Sequence, residues 1–480
     1  MSDNRNDLLF IIPGFFYIED YQKLLYFNDL PLGTLQISAY LKNNLDIKTQ
    51  IVDLRIEAEK NPKLEINEPD SNQFKDAFLN TIENNNVQEF QNIGINCYTS
   101  FQYIQTYLIA QILREKYPNK NIIVGGYHPT AVPEDFSYNN SPFDVVIRGE
   151  AESNLLDLFN SFTLNNELKH NKTRVVGNNN CVDVNSLPFP DYELYLEKYP
   201  LYDRFNFEFY ISRGCPYQCA FCATNYKFRS FRFEKFKREL EKLCELVEKY
   251  NRNRLKIAFA DQSFDRVNIS EKVLDYLIQN DLQERFTFSC QCRVETFAKN
   301  LNLIEKYRKS NMVIGFGFES ASHKLLKEMH KTNKPKRYVN TMNRILDEYK
   351  DSNDVYCRLN VLAGFPGESS ATFFETVNFI DRHALHRNIQ ISPTLFSNYP
   401  NVFVYKNMKY YEEKYGSKFI KEWWKIKSNP FKNSVPEKLS SSYTIKQLLK
   451  DYKEHYLKIL KVSHRNILPQ LLLWKNFFDK

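Results

Sequence analysis

Arg213-Gly214-Cys215-Pro216-Tyr217-Gln218-Cys219-Ala220-Phe221-Cys222 gathers three of the chain's nine cysteines into one C-x3-C-x2-C run. Gly214 and Pro216 break regular structure at its start, and the run Phe207-Glu208-Phe209-Tyr210-Ile211-Ser212 just upstream is strand-like. The thiols are therefore expected on a loop leaving the end of a strand, where open α/β sheets and barrels build their sites. Three thiolates suit a soft, iron-rich centre. In a four-iron cube they leave one iron with an open position, which an electron-transfer cluster would close with a fourth cysteine. Two other readings compete. Positions i, i+4 and i+7 share a helix face, but the glycine, the proline and the preceding strand oppose a helix. Zinc wants a fourth Cys or His close by, and the next is Cys244, beyond a charged helical run.

This loop, with aromatic Phe221 just before the third cysteine, resembles the signature of the radical S-adenosylmethionine (SAM) superfamily. The resemblance implies that Cys215, Cys219 and Cys222 hold a [4Fe–4S] cluster whose open iron chelates SAM, with Phe221 on the SAM side. It also implies reductive cleavage of SAM to a 5′-deoxyadenosyl radical.

The chain has 480 residues, which points to two large units with a small third. Hydrophobic content of 42%, with 38 Phe and 31 Tyr, supports real cores. The net charge of +7 is spread through intermixed acids and bases, so no nucleic-acid partner is expected. No signal-peptide pattern precedes the first apolar run. No apolar run approaches the roughly 20 residues that span a bilayer. Cysteines without a disulfide framework point to the cytoplasm.

From Asp7 to about Phe162, apolar runs (LLFIIP, TQIVDL, IGINC, NIIVGG, FDVVI) alternate with helical stretches. That pattern predicts a parallel sheet covered on both faces, a flavodoxin-like, Rossmann-type domain. Ligands of such domains lie beyond the carboxyl ends of the strands. Leu32-Gly33-Thr34 opens a helix, Gly125-Gly126-Tyr127-His128-Pro129-Thr130 follows IIV, and Arg148-Gly149-Glu150-Ala151-Glu152 follows FDVVI. Together these stretches resemble the cobalamin-binding domain that precedes many radical SAM domains. The resemblance places Gly33, Thr34, Gly125, Gly126 and Glu150 at cobalamin. One departure stands out. The cobalt-ligating His of the D-x-H-x-x-G motif has no counterpart at Val52-Asp53-Leu54-Arg55-Ile56. His128 is read as shaping its loop.

Residues 166–200 read as a polar linker and 201–405 as a partial (β/α) radical SAM barrel, after the domain at 1–165. The strands LKIAFA, FTFSCQCR, MVIGFGF, VYCRLNVLAGF and IQISPTLF follow the cysteine loop, with helices between. Family resemblance places Asp261, Glu319, Gly364 and Pro366, all at strand ends, beside SAM. The glycines of Gly315-Phe316-Gly317-Phe318-Glu319-Ser320 would let ligand approach the backbone. Arg293 is read as meeting the SAM carboxylate or a surface acid. Cys290 and Cys292 share one strand face, as buried thiols or substrate-side groups. Residues 406–480 read as a small helical cap over the barrel mouth.

The resemblance implies three cofactors: a [4Fe–4S] cluster, SAM and cobalamin. It also implies a reductant such as flavodoxin or ferredoxin, and a small-molecule or peptide substrate. The expected reaction is C-methylation of an unactivated carbon, with cobalamin as methyl carrier. Radical cyclisation or rearrangement without methyl transfer, and a non-catalytic cobalamin or cluster sensor, stay open.

Overall fold

Apolar runs spaced by amphipathic stretches become the parallel strands of two sheets in this computed structural model. It describes residues 7–15, 29–65, 72–165, 173–177, 181–200, 207–224, 226–250, 255–350, 355–383, 386 and 388–462. The chain divides into two compact units. The first takes Met1–Phe27, Pro31–Tyr202 and Glu422–Asn433, and the second Asn28–Leu30, Asp203–Lys421 and Ser434–Lys480.

In the first unit, β1 (Leu8–Ile12), β2 (Thr49–Asp53), β3 (Asn92–Asn96), β4 (Asn121–Gly125), β5 (Val145–Ile147) and β6 (Arg174–Val176) form one sheet. Its order is β2-β1-β3-β4-β5-β6, all parallel. Leu8, Leu9, Ile11, Ile51, Val52, Ile93 and Val124 are fully buried, as continuous apolar strands of a doubly covered sheet should be. Each such side chain contributes about 1.5–3 kcal/mol on leaving water. The strand β6 lies in the stretch read as linker, a three-residue edge too short to show a period. The rest of that stretch also belongs to this unit. Gln36 Nε2 donates to the Pro188 carbonyl at 2.8 Å, and Ser38 Oγ donates to Asp191 at 3.0 Å.

The second unit holds β7 (Phe207–Phe209), the short antiparallel pair β8 (Ser212–Arg213) and β9 (Arg229–Ser230), and then β10 (Lys256–Phe259), β11 (Thr287–Cys292), β12 (Met312–Glu319), β13 (Cys357–Ala363) and β14 (Ile389–Leu395). The strands other than β8 and β9 form an open parallel sheet ordered β14-β13-β12-β11-β10-β7, the arc of a partial barrel. On β13 the residues Cys357, Leu359, Val361 and Ala363 are buried, and Arg358, Asn360 and Leu362 alternate to the other face. Gln291 of β11 meets Asn360 there, at 2.9 Å.

Cys290 and Cys292 turn to the opposite, buried face. Their sulfurs are 3.6 Å apart, and Cys292 lies 3.7 Å from the Tyr307 hydroxyl. They pack against a helix as core thiols, which removes the substrate-side alternative.

Residues Glu422–Asn433 belong to the first unit, and the tail includes the hairpin β15 (Lys438–Ser440) and β16 (Tyr443–Thr444) before the helix Ile445–Val462.

Candidate functional site

The cysteine loop is closed at its root by β8 and β9, paired Ser212↔Ser230 and Arg213↔Arg229. Gly214 sits at φ +79, where an added Cβ would strike the carbonyls of Tyr226 and Lys227. Only glycine tolerates both demands. The far side of the loop is tied down as well. The Ala220 N–H donates to the Met329 carbonyl at 2.9 Å, and Asn401 Nδ2 to the Ala223 carbonyl at 2.6 Å. Buried Ala220 packs with Leu325, Phe365, Phe396 and Val402. Cys215, Cys219 and Cys222 are each partly exposed on this braced loop. Burial pushes the Cys215 and Cys222 thiols up, and the neighbouring sulfurs push them the same way.

Two cations flank the thiols. Arg293, at the end of β11, donates from Nη1 to Cys219 Sγ at 3.2 Å and stacks 3.8 Å from the Tyr217 ring centre. It also reaches Glu295 at 2.9 Å and the Lys331 carbonyl. It is 6% exposed, so it is not a surface salt bridge. Lys331 lies over the Phe221 ring and pairs with Glu319 at 3.0 Å, both side chains buried. Glu319 itself sits at φ +69, beside a register shift in β12. A non-glycine residue held there stores strain of order 1–3 kcal/mol.

Asp261 supports the loop from below. Its buried carboxylate accepts from the Ile211 N–H at 3.2 Å and from the Ser212 hydroxyl. Burial pushes this carboxyl up to about 7, against the pull of those donors. The space beside Gly315 is filled by the Gln291 amide, and that beside Gly317 by the Lys331–Glu319 pair. These glycines make room for protein side chains, not for the open approach of a ligand. Gly364 and Pro366 are buried, with Gly364 at φ +83 beside Leu395 and Leu448. The Gly364 N–H donates to the Glu368 carboxylate at 2.6 Å, and burial pushes that carboxyl up to about 8. Through Phe365 the same turn packs on Ala220 of the cysteine loop.

In the first unit the sequence-predicted residues gather at the carboxyl edge of the sheet. Thr34, in the first turn of the helix Leu32–Asn44, accepts from Asn96 Nδ2 of β3 at 3.0 Å. An added Cβ at Gly33 would meet nothing within 4 Å, an open backbone. Gly125 ends β4, and Gly126 at φ +121 lies against the Cys97 carbonyl, where no Cβ fits. Glu150 accepts from the Val182 N–H at 3.0 Å. Tyr98, 61% exposed, stands edge-on to Tyr127 at this rim.

His128 is turned inward. Its Nδ1 shares a 2.7 Å hydrogen bond with the Ser100 hydroxyl, and its Nε2 faces Asp135 at 3.3 Å. Burial pushes its pKa down, so the ring is neutral. Asp135 also accepts from Trp424 Nε1 at 2.7 Å and pairs with Lys425 at 2.7 Å. Asp53 is equally committed: it pairs with Arg55 at 2.7 Å and accepts from the Tyr195 hydroxyl at 2.7 Å.

The sequence model of the Radical SAM superfamily matches residues 209–380, and that of the B12 binding domain matches residues 28–159. The chain therefore carries a B12 binding domain followed by a Radical SAM domain. Among curated relatives, an uncharacterized methyltransferase of Pyrococcus horikoshii is 27% identical over 305 residues, 60% of this chain and 63% of that one. The anaerobic magnesium-protoporphyrin IX monomethyl ester cyclase of Cereibacter sphaeroides is 23% identical over 284 residues, 55% of this chain and 45% of that one. The chain thus spans less than two thirds of either relative.

Two solved structures share the fold. The radical SAM methyltransferase TsrM of Kitasatospora setae, solved with cobalamin and a [4Fe–4S] cluster, superposes with a TM-score of 0.58 at 12% identity, over 83% of this chain and 77% of that one. The cobalamin-dependent SAM radical enzyme OxsB gives 0.55 at 16%, over 85% of this chain and 56% of that one.

The radical SAM domain implies a [4Fe–4S] cluster and SAM, and the B12-binding domain implies cobalamin. The donor set fits the cluster. Cys215, Cys219 and Cys222 are free thiols, partly exposed on one braced loop, and three thiolates can each ligate a separate iron of a cube and leave the fourth open. The open backbone at Gly33 fits a cobalamin cradle, and the inward bonds of His128 withdraw that imidazole from cobalt. Sequence reasoning missed Lys331, Asn401 and Asp265, which accepts from the Arg293 N–H at 3.0 Å. None stands in a spacing motif; each is brought to the site by contacts distant in sequence. No helix among the described residues is long and apolar enough to cross a membrane.

Proposed function

We propose that this protein is a cobalamin-dependent radical SAM methyltransferase that methylates an unactivated carbon of a small molecule or peptide. The observation that carries the reading is one chain with a three-cysteine loop at the carboxyl edge of a partial barrel and a B12-binding domain ahead of it. When bound, the cofactors supply radical generation and methyl carriage; the protein binds, orients and excludes water. Cys215, Cys219 and Cys222 hold the cluster, and Arg293 and Lys331 set the charge around it. Phe221, Glu319 and the Gly364–Pro366 turn border SAM, with Asp261 fixing the loop beneath. Gly33, Thr34, Gly125, Gly126 and Glu150 shape the cobalamin cradle. The relative named as a methyltransferase supports this reading.

Those named as cyclases favour a second, radical cyclisation without methyl transfer. Anaerobic reconstitution with iron, sulfide, cobalamin, SAM and reductant separates the two. Release of 5′-deoxyadenosine together with S-adenosylhomocysteine is expected. 5′-Deoxyadenosine alone favours cyclisation, and neither product overturns both.

A further inference from the structure

A cleft of about 590 Å³ opens on the second unit. Six of its lining residues are His323, Lys327, Lys334, Lys336, Arg337 and Arg344, and no carboxylate lines it. All six side chains are exposed. None of the six forms an ion pair among the described residues, although surface lysines elsewhere in this unit pair repeatedly, as Lys306 does with Asp275 and Lys414 with Glu328. Three of the cations, Lys334, Lys336 and Arg337, stand at the start of the helix Pro335–Lys350, which has no acid in its first turn. Cations there oppose the helix dipole. This is a positive surface without its counter-charge.

Its position matters as much as its sign. Lys327 lies two residues before Met329, whose carbonyl accepts the Ala220 N–H between Cys219 and Cys222. On the other side the cleft is lined by Ala298, just past the helix Val294–Phe297. That helix begins directly after Arg293, whose guanidinium touches Cys219 Sγ, and it packs against Pro335–Lys350. Two short segments, 293–298 and 327–331, therefore join the cationic cleft to the cysteine loop.

We propose that the cleft is the docking surface for an acidic electron-donor protein that reduces the cluster. A single-stranded nucleic acid fits less well, because such sites interleave cations with aromatic stacking platforms, and no Phe, Tyr or Trp lines this cleft. The step is a one-electron transfer: the donor's reduced flavin loses one electron, the cluster gains it, and no covalent bond forms or breaks. The inference rests on the proposed radical SAM reading and adds the route by which its electron arrives.

The test uses the full-length, cluster-reconstituted protein and flavodoxin hydroquinone, with cluster reduction followed by anaerobic stopped-flow absorbance. The variant is K334E/K336E/R337E. Acidic side chains suit a helix N-terminus, so folding is retained, and reduction by dithionite serves as the control. Electrostatic steering changes association 10- to 1,000-fold. The expected result is at least a tenfold slower reduction by flavodoxin in the variant, an unchanged rate with dithionite, and a wild-type rate that falls with salt. Equal flavodoxin rates in the two proteins, or a salt-independent wild-type rate, would overturn the docking site. So would an oligonucleotide that binds the cleft without flavodoxin competing. A wild-type cluster that dithionite cannot reduce, with no 5′-deoxyadenosine formed from SAM, would overturn the radical reading itself.

Discussion

Arg293 donates to Cys219 Sγ, lies over the Tyr217 ring and reaches the Lys331 carbonyl, so it ties a thiol of the cysteine loop to the segment just past the helix His323–Glu328. Hydrogen bonds and positive charge at a cluster sulfur favour the reduced, more negative cluster. Arg293→Met should therefore lower the midpoint potential in an EPR-monitored titration. A tenfold shift in the reduction equilibrium corresponds to about 59 mV for one electron. Arg293→Lys should restore part of it, since it keeps the charge but lacks the planar fork. An unchanged potential in Arg293→Met would make the contact merely structural.

Asp261 acts through pH. Its carboxyl is raised to about 7 in the fold, from an ordinary value of 3.8. The folded state then holds a proton that the unfolded state has lost. The stability this contributes is whole below about pH 4, declines as pH rises toward 7, and is flat above. Asp261→Asn should erase that slope, worth a few kcal/mol at about 1.36 per pKa unit. Melting temperatures from pH 4 to 8 check it, and parallel profiles for the two proteins would refute it. Neither role was legible in the sequence. Arg293 reaches a sulfur 74 positions away and Asp261 a serine 49 positions away, and side-chain direction at such range is set by the assembled sheet.

Among the elements, the strands were legible where apolar residues run together, as in β1, β4 and β12, or alternate with polar ones, as in β11. The cysteine loop was legible because glycine and proline punctuate it. The segment Glu422–Asn433 was not, because an aromatic, basic stretch reads equally as packing or as solvated surface. Trp423 and Trp424 are buried in the first unit, with Trp423 against Phe101 and Trp424 against His128. Trp423→Ala with Trp424→Ala should cost this unit several kcal/mol, since truncating a buried tryptophan to alanine costs about 3–5 each, transfer and cavity together. The expected readout is earlier amide-hydrogen exchange around Phe101 and Asp135, with β11 to β13 unchanged. Uniform loss of protection in both units would contradict the assignment of these tryptophans to the first unit alone.

At the scale of the molecule, two parallel sheets with separate cores give two places where binding feeds back on stability. Hydroxocobalamin at 100 times its dissociation constant should stabilise the first unit by about 2.7 kcal/mol. For a unit of this size that is roughly 5–10 °C in melting temperature. Gly126→Ala, which forces a Cβ onto the Cys97 carbonyl, should both lower the starting temperature and shrink the shift. No shift in the native protein would argue against cobalamin in this unit. The fold class was readable at this scale from run lengths and helix spacing. The path of the chain was not: it leaves the first unit near residue 202, returns for residues 422–433 and leaves again. During synthesis the first sheet emerges early, yet the tryptophans that seal its Phe101–His128 side arrive only after some 220 further residues have been made. Until then that side stays open to water and to other chains. Ribosome-bound nascent chains ending before residue 422 should thus engage holdase chaperones more strongly than those extending past 433.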